Sequence, residues 1–132
     1  MSSFGSDQVL VFDVASGRFI DALGDSDSLD SPEGIAISTD GGTLYVASFL
    51  NSRILAFDIK VRSWAASPVQ TIVAGTPVDL DYLADDSDQH PPLAGVSMLH
   101  GPEGVLLLDK RHIAVTSYYN KSVVIVPANQ LS

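Results

Sequence analysis

A threefold internal repeat constrains the fold of this chain more than any other feature of its sequence. Three segments align without gaps, and they read SFGSDQVLVFDV from Ser3, SFLNSRILAFDI from Ser48 and SYYNKSVVIVPA from Ser117. Each begins with serine and an aromatic residue, passes through a polar turn and continues into a largely apolar stretch. A Pro-Glu-Gly phrase, at Pro32 and again at Pro102, precedes the second and third segments. Such a repeat predicts stacked copies of one structural unit.

Apolar residues in alternate positions, punctuated by turn residues, divide the repeats into short strands. The predicted strands are Val9–Val14, Arg18–Leu23, Gly34–Ser38, Thr43–Ala47, Arg53–Ile59, Val69–Ala74, Val105–Leu108, Ile113–Thr116 and Val123–Val126. No segment has a sustained helical period. The sequence therefore predicts an all-β fold built from β-propeller blades, each made of four antiparallel strands.

The predicted strands are distributed unevenly over a single domain of 132 residues. Residues 1–30 give half a blade, 31–75 a full blade, 76–100 an acidic connecting insert and 101–132 a blade that lacks its outer strand. So few strands do not close a propeller ring, and the open edges invite association. We expect the outer strand of one copy, Arg18–Leu23, to complete the last blade of another in a homodimer or homotrimer. The alternative is that the chain is a fragment of a longer protein.

Composition excludes several classes of partner. The formal net charge is −9, and the seven lysines and arginines are scattered. Nucleic acids and anionic membranes are bound through clustered basic residues, so neither is an expected partner. No apolar run approaches the roughly 20 residues that cross a bilayer, and no signal-peptide pattern opens the chain. A soluble protein is therefore expected, with its compartment left open. Cysteine is absent, which excludes disulfides and thiolate ligands.

The stretch from Pro32 to Asp58, PEGIAISTDGGTLYVASFLNSRILAFD, resembles the NHL repeat. It is also similar to the repeats of bacterial surface propellers and of lactonase-like propellers, and the likeness extends over nearly the whole chain. The NHL pattern usually places aspartate after Val-Ala, where this chain has Ser48 and, in the last repeat, Ser117. Because the family is functionally broad, the resemblance implies a fold more strongly than a function.

The two glutamates of the chain, Glu33 and Glu103, occupy the same place in the two Pro-Glu-Gly phrases. In a propeller this residue starts the inner strand, and its side chain points to the central channel. The resemblance implies a metal there, because a lyase that shares the repeat has a metal-binding histidine after the proline, and calcium-dependent lactonases hold their ion with acids near the channel. Glu33 and Glu103 are therefore candidate catalytic residues and ligands of a divalent cation such as Ca, Zn or Mn. The alternative is that each glutamate caps a strand or forms a surface ion pair.

The chain has three histidines. His100 precedes Glu103 by three residues, so the two could bind a metal together, or the histidine–carboxylate pair could act as a general base. His90 lies in the acidic insert and is a further candidate ligand. His112 lies in a predicted turn between two strands, where exposure to solvent explains it.

Two functions follow from these residues. The first is a propeller-type module, assembled from several copies, that binds a protein or a small-molecule ligand. The alternative is a small metal-dependent hydrolase of esters, lactones or phosphotriesters with its site in the central channel, where the metal polarises the substrate or activates water. The roles common among NHL-like repeats favour binding, whereas the duplicated glutamates together with His100 favour the hydrolase. The serines that recur at Ser3, Ser48 and Ser117 indicate turn structure and not a nucleophile.

Overall fold

A computed structural model describes residues 1–60, 68–77 and 97–127, and these residues contain β-strands and no helix. The strands are β1 (Ser2–Ser3), β2 (Gln8–Phe12), β3 (Phe19–Leu23), β4 (Pro32–Ile37), β5 (Thr43–Ser48), β6 (Arg53–Asp58), β7 (Gln70–Ile72), β8 (Ala74–Pro77), β9 (Ser97–Met98), β10 (Pro102–Leu107), β11 (His112–Ser117) and β12 (Ser122–Pro127). The prediction of an all-β fold is confirmed.

The strands form three antiparallel sheets. The N-terminal sheet has the order β1-β2-β3, and the middle sheet has the order β4-β5-β6-β7. The C-terminal sheet has the order β10-β11-β12-β8-β9. Each sheet contains one copy of the repeat, with the aligned serine at the end of β1, β5 or β11.

The middle sheet lies between the other two, and its strands β5 and β6 are buried on both faces. Alternate side chains of a strand point to opposite faces, so β5 and β6 supply two separate cores. The core shared with the N-terminal sheet consists of Val9, Leu23, Leu29, Leu44, Val46, Leu55 and Phe57. The core shared with the C-terminal sheet consists of Tyr45, Ala47, Ile54, Ala56, Ile72, Leu99, Ile113, Val115, Val124 and Val126. Burial on both faces explains why these strands read as nearly continuous apolar runs.

A turn at Asp40-Gly41-Gly42 joins β4 to β5. Asp40 Oδ1 accepts hydrogen bonds from the Ser38 hydroxyl at 2.6 Å and from the Gly42 N–H at 2.9 Å. Gly41 has a φ of 73°, a left-handed conformation that glycine adopts without steric cost. This turn fixes the register in which Ile37 pairs with Leu44.

The expectation that the last blade lacks an outer strand is wrong, and the described residues contain twelve strands where nine were predicted. Strand β8 pairs with β12, with Thr76 opposite Ile125. The sequence pattern predicts one strand over residues 69–74, whereas in the structure Val73 separates β7 from β8. Gly75 makes the pairing possible, because a Cβ there would lie 2.5 Å from a methyl group of Val126. The edge that Arg18–Leu23 of another copy was expected to fill is therefore occupied by β8.

Candidate functional site

Glu33 and Glu103 are the second residues of the first strands in two neighbouring sheets. Glu33 lies in β4 and Glu103 in β10, and both side chains are partly exposed. The two backbones approach closely at Gly34, where an added Cβ would collide with the carbonyl oxygen of Glu103 and lie 3.1 Å from Gly104 Cα. The repeated Pro-Glu-Gly phrase thus places the two glutamates on strands whose backbones are in contact, because Gly34 leaves room for β10.

The environment of Glu33 disfavours its charged form. Partial burial raises the pKa of the Glu33 carboxyl, and the negative charge of Glu103 raises it further. The second cause places the two carboxylates within electrostatic range of each other. The uncompensated like charges therefore cost stability when both carboxylates are ionised.

The other candidate ligands fall in different places. The His100 ring lies against the Tyr119 ring, with 4.8 Å between the ring centroids. His112 is exposed and pairs with Asp109 at 3.0 Å, in agreement with the prediction that it faces solvent. His90, and the acidic insert beyond residue 77, lie outside the described residues. Within the described ranges, no group of three or more histidine, aspartate or glutamate side chains is arranged to hold a metal ion.

The recurrent serines hold the ends of the strands. Ser48 and Ser117 are buried, and each hydroxyl binds the backbone of the connection that enters the same sheet. The Asp30 N–H donates to Ser48 Oγ at 2.8 Å, and the His100 N–H donates to Ser117 Oγ at 2.8 Å. Two equal distances in two sheets show that the serine is a structural part of the repeat, as predicted.

The recurrent asparagines act in the same way one turn further on. Asn51 Nδ2 donates to the Ser28 carbonyl at 3.1 Å, and Asn120 Nδ2 donates to the Met98 carbonyl at 2.9 Å. Each amide therefore ties the turn after the serine to the connection that precedes the proline.

A third repeated position links each sheet to the next. The Ser31 N–H donates to Asp7 Oδ1 at 2.9 Å, and the Gly101 N–H donates to Ser52 Oγ at 3.2 Å. Asp7 and Ser52 are aligned in the repeat and share a left-handed backbone, with φ values of 55° and 58°. The aligned residue of the last repeat is Lys121, whose φ is 50°. The Lys121 ammonium group can donate hydrogen bonds but cannot accept one, so this side chain cannot continue the link.

These turns and connections lie together at one end of the sheets, which we call the turn face. It consists of residues 3–7, 24–31, 48–52, 98–101 and 117–121. The hydrogen bonds above connect its parts, and those of the Leu50 N–H to the Asp30 carbonyl (3.1 Å) and of the Tyr119 N–H to the His100 carbonyl (3.0 Å) add to them.

Four aromatic side chains cluster on the turn face, and we call them the aromatic surface: Phe49, His100, Tyr118 and Tyr119. The centroid of the Tyr119 ring lies 5.5 Å from that of Phe49 and 5.1 Å from that of Tyr118, with the two tyrosine rings nearly perpendicular. Tyr118 and Tyr119 remain 58% and 51% exposed. The residues come from the middle and the C-terminal sheets, so the cluster spans the boundary between them.

The aromatic surface was not predicted as a site. Its signal in the sequence is the aromatic residue that follows the repeated serine, at Phe49 and Tyr118. That signal gives the position within each repeat, but it does not say that the turns of two sheets converge. Gly101 allows the convergence because it has no side chain. A Cβ at this position would lie 2.5 Å from the Tyr119 ring and 3.1 Å from the Phe49 ring.

Comparison with known proteins adds no family assignment. No protein-family model matches the chain, and no curated protein matches it significantly in sequence. The resemblance to the NHL repeat stays a prediction. Within the described part of the chain, no helix is long and apolar enough to span a membrane.

Proposed function

We propose that the chain is a propeller-type binding module, assembled from several copies, whose aromatic surface takes a cationic group of a protein segment or small ligand. The observation that carries the proposal is the exposure of Tyr118 and Tyr119 within a contiguous aromatic cluster. Scattered exposed apolar residues are common, whereas a contiguous patch of them marks an interaction site. The three sheets, stacked in chain order, are the blades of the proposed propeller.

The aromatic surface is held in place before any ligand arrives. The Phe49 N–H donates to the Ser31 carbonyl at 3.2 Å, and the Tyr118 N–H donates to the Gly101 carbonyl at 2.9 Å. With the serine and asparagine contacts described above, these bonds fix the backbone that carries the rings. A preordered surface loses less conformational entropy on binding, which favours affinity.

The net charge of the turn face favours a cation over an anion. The carboxylates of the turn face are those of Asp7, Asp25, Asp27 and Asp30, and its basic side chain is that of Lys121. This end is therefore net acidic, as is the whole chain. The faces of aromatic rings are also electronegative and attract guanidinium and quaternary ammonium groups. An arginine side chain, which stacks on rings as well as carrying charge, suits this surface.

A tetra-arginine peptide tests the proposal against a tetra-citrulline peptide, which has nearly the same shape and no charge. We expect the arginine peptide to shift the NMR signals of the turn face and the citrulline peptide to bind more weakly. Tyr119→Ala should weaken binding of the arginine peptide about fivefold, since one cation–π contact contributes about 1 kcal/mol. Phe4→Ala is the matched control, because Phe4 is exposed in the aligned turn of the N-terminal sheet. Equal binding of the two peptides, or an unchanged affinity in Tyr119→Ala, would contradict the proposal.

A second candidate function, a metal-dependent hydrolase, is favoured by the proximity of Glu33 and Glu103. A pair of carboxylates supplies part of a ligand set for a divalent cation such as Ca²⁺, Mn²⁺ or Zn²⁺. A bound cation would offset the repulsion that raises the pKa of Glu33. In the hydrolase, the cation would polarise an ester, lactone or phosphotriester or activate water.

The sign of the stability change in Glu33→Gln separates a bare carboxylate pair from a metal site. The raised pKa of Glu33 means that its ionisation destabilises the folded state as the pH rises through that pKa. Without metal, Glu33→Gln should therefore be more stable than the wild type at pH 7, and the difference should vanish below the ordinary glutamate pKa. With millimolar Ca²⁺, Mn²⁺ or Zn²⁺, the wild type should gain melting temperature and the variant should not.

Asp109→Asn is the control of opposite sign. Hydrogen bonds, first from the Arg111 N–H and then from His112, lower the pKa of Asp109. That contribution to stability is present above the unfolded-state pKa and is lost as the pH falls, so the variant should be less stable at pH 7. If no cation raises the melting temperature of the wild type and it hydrolyses no ester, lactone or phosphotriester probe, the second candidate is wrong.

A further inference from the structure

We propose that the N-terminal sheet of one copy packs on the C-terminal sheet of a second copy, so that copies join head to tail. Each sheet uses its outer face, which is the face that points away from the middle sheet of its own chain. The proposal names the contact by which the proposed module assembles, and it rests on that assembly. It replaces strand exchange, because β8 already pairs with the edge that an exchanged strand would need.

The chain itself contains this packing twice, with equivalent residues each time. In the middle sheet, Leu55 and Phe57 of β6 point toward the N-terminal sheet, and Ile54 and Ala56 point toward the C-terminal sheet. The aligned residues Val124 and Val126 of β12 point back toward the middle sheet in turn. Each sheet thus has a face for the preceding sheet and a face for the following one.

The outer face of the N-terminal sheet has the apolar residues that a sheet offers to its predecessor. Phe12 is aligned with Phe57, which is fully buried against the N-terminal sheet, yet Phe12 is 39% exposed. Phe19 pairs with Phe12 across the strands, and their rings meet edge to face at 5.8 Å. Leu10 shares this face, because it lies two residues from Phe12 on β2. Two aromatic rings on an open sheet face are an exposed apolar patch that association would cover.

The outer face of the C-terminal sheet has the residues that receive such rings. It consists of Ala114, Thr116, Val123 and Ile125, which are aligned with Tyr45, Ala47, Ile54 and Ala56. Those aligned residues are fully buried in the middle sheet, whereas Ala114, Val123 and Ile125 are partly exposed. The small and β-branched side chains leave room for Phe12 and Phe19 of the second copy.

The seam between copies differs from the internal seams at one position. Inside the chain, Asp7 and Ser52 accept an N–H from the next sheet, whereas Lys121 has no acceptor to offer. The contact between copies therefore depends on the apolar faces. Because the two faces are different, the contact is heterologous, and it closes a ring of a few copies if the rotation per copy allows.

Two complementary variants test the contact. Phe12→Asp disables one face and Val123→Asp the other, and each variant keeps one face intact. In analytical ultracentrifugation, the wild type should form larger species with rising concentration, and each variant alone should associate about thirtyfold or more weakly, as expected for loss of a central contact residue. An equimolar mixture of the variants should form dimers, because it retains one intact pair of faces and cannot extend further. Phe4→Asp is the control, because it introduces the same charge in place of an exposed phenylalanine that belongs to neither proposed face.

Three outcomes overturn the proposal: a wild type that remains a 14.0 kDa monomer at every concentration, variants that associate as the wild type does, and a mixture that forms no dimer. Far-ultraviolet circular dichroism checks that each variant is folded, and Ala114→Asp replaces Val123→Asp if the latter is not. Binding of the arginine peptide needs only one copy, so a failure of this test leaves the ligand proposal intact.

Discussion

Phe57→Ala should lower the free energy of unfolding by about 3–5 kcal/mol, which is the usual cost of removing a fully buried phenylalanine. The Phe57 ring is 0% exposed in the core between the N-terminal and middle sheets, where it packs with Leu23, Leu29 and Leu44. Those neighbours come from separate strands and a connection, so they cannot collapse together into the cavity. Urea unfolding followed by circular dichroism measures the change.

The control for this substitution is Phe4→Ala, which removes the same side chain from an exposed position. We expect it to change stability by no more than about 0.5 kcal/mol, as is usual for surface substitutions. A cost for Phe57→Ala that is no larger than that of Phe4→Ala would show that the N-terminal sheet does not pack on the middle sheet as described.

Gly34→Ala should be the second most damaging substitution, with a cost of about 3 kcal/mol, the upper end of the range for overpacking. The added methyl group would meet the backbone of β10, at the Glu103 carbonyl and the Gly104 Cα. Backbone atoms of a paired strand cannot rotate away as a side chain can, so β4 and β10 would have to move apart. The carboxylates of Glu33 and Glu103 would separate with them.

The matched control is Gly104→Ala, the same position in the second Pro-Glu-Gly phrase. Its nearest neighbour would be the Thr116 hydroxyl at 3.2 Å, which belongs to a side chain. Alanine also restricts the unfolded chain, a gain of about 0.4–1 kcal/mol that offsets part of the crowding. We expect Gly104→Ala to change the melting temperature little. Equal effects of the two substitutions would mean that β4 and β10 are not in close contact.

Much of the fold could be predicted from the sequence, because strand alternation and turn chemistry are local. The Asp40-Gly41-Gly42 turn and the strands around it lie where the pattern places them. Strand β8 could not be predicted, since Ala-Gly-Thr-Pro has no strand pattern and its partner β12 lies far along the chain. Only the packing of Gly75 against that distant strand makes it part of the sheet.

For the candidate site as well, features within one repeat could be predicted, whereas contacts between repeats could not. The equivalence of Glu33 and Glu103 was visible in the repeat, and the structure adds that Gly34 brings their strands into contact. The recurrent aromatic residue was visible as well, but its meaning depends on Gly101 letting Tyr119 meet Phe49 across two sheets. Contacts within one repeat unit can be deduced from its pattern, whereas contacts between units depend on the angle at which they stack.

The single residue between β7 and β8 has a consequence for how this protein would come apart. Strand β7 is the outer edge of the middle sheet and β8 pairs with the C-terminal sheet, so Val73 alone joins the two. One residue spans less than about 4 Å, and the two sheets cannot separate there unless one of these strands first leaves its partner. A connection of eight residues, 24–31, leads instead from the N-terminal sheet to the middle sheet. The middle and C-terminal sheets would therefore open as one cooperative unit, and the N-terminal sheet is the part that can detach first.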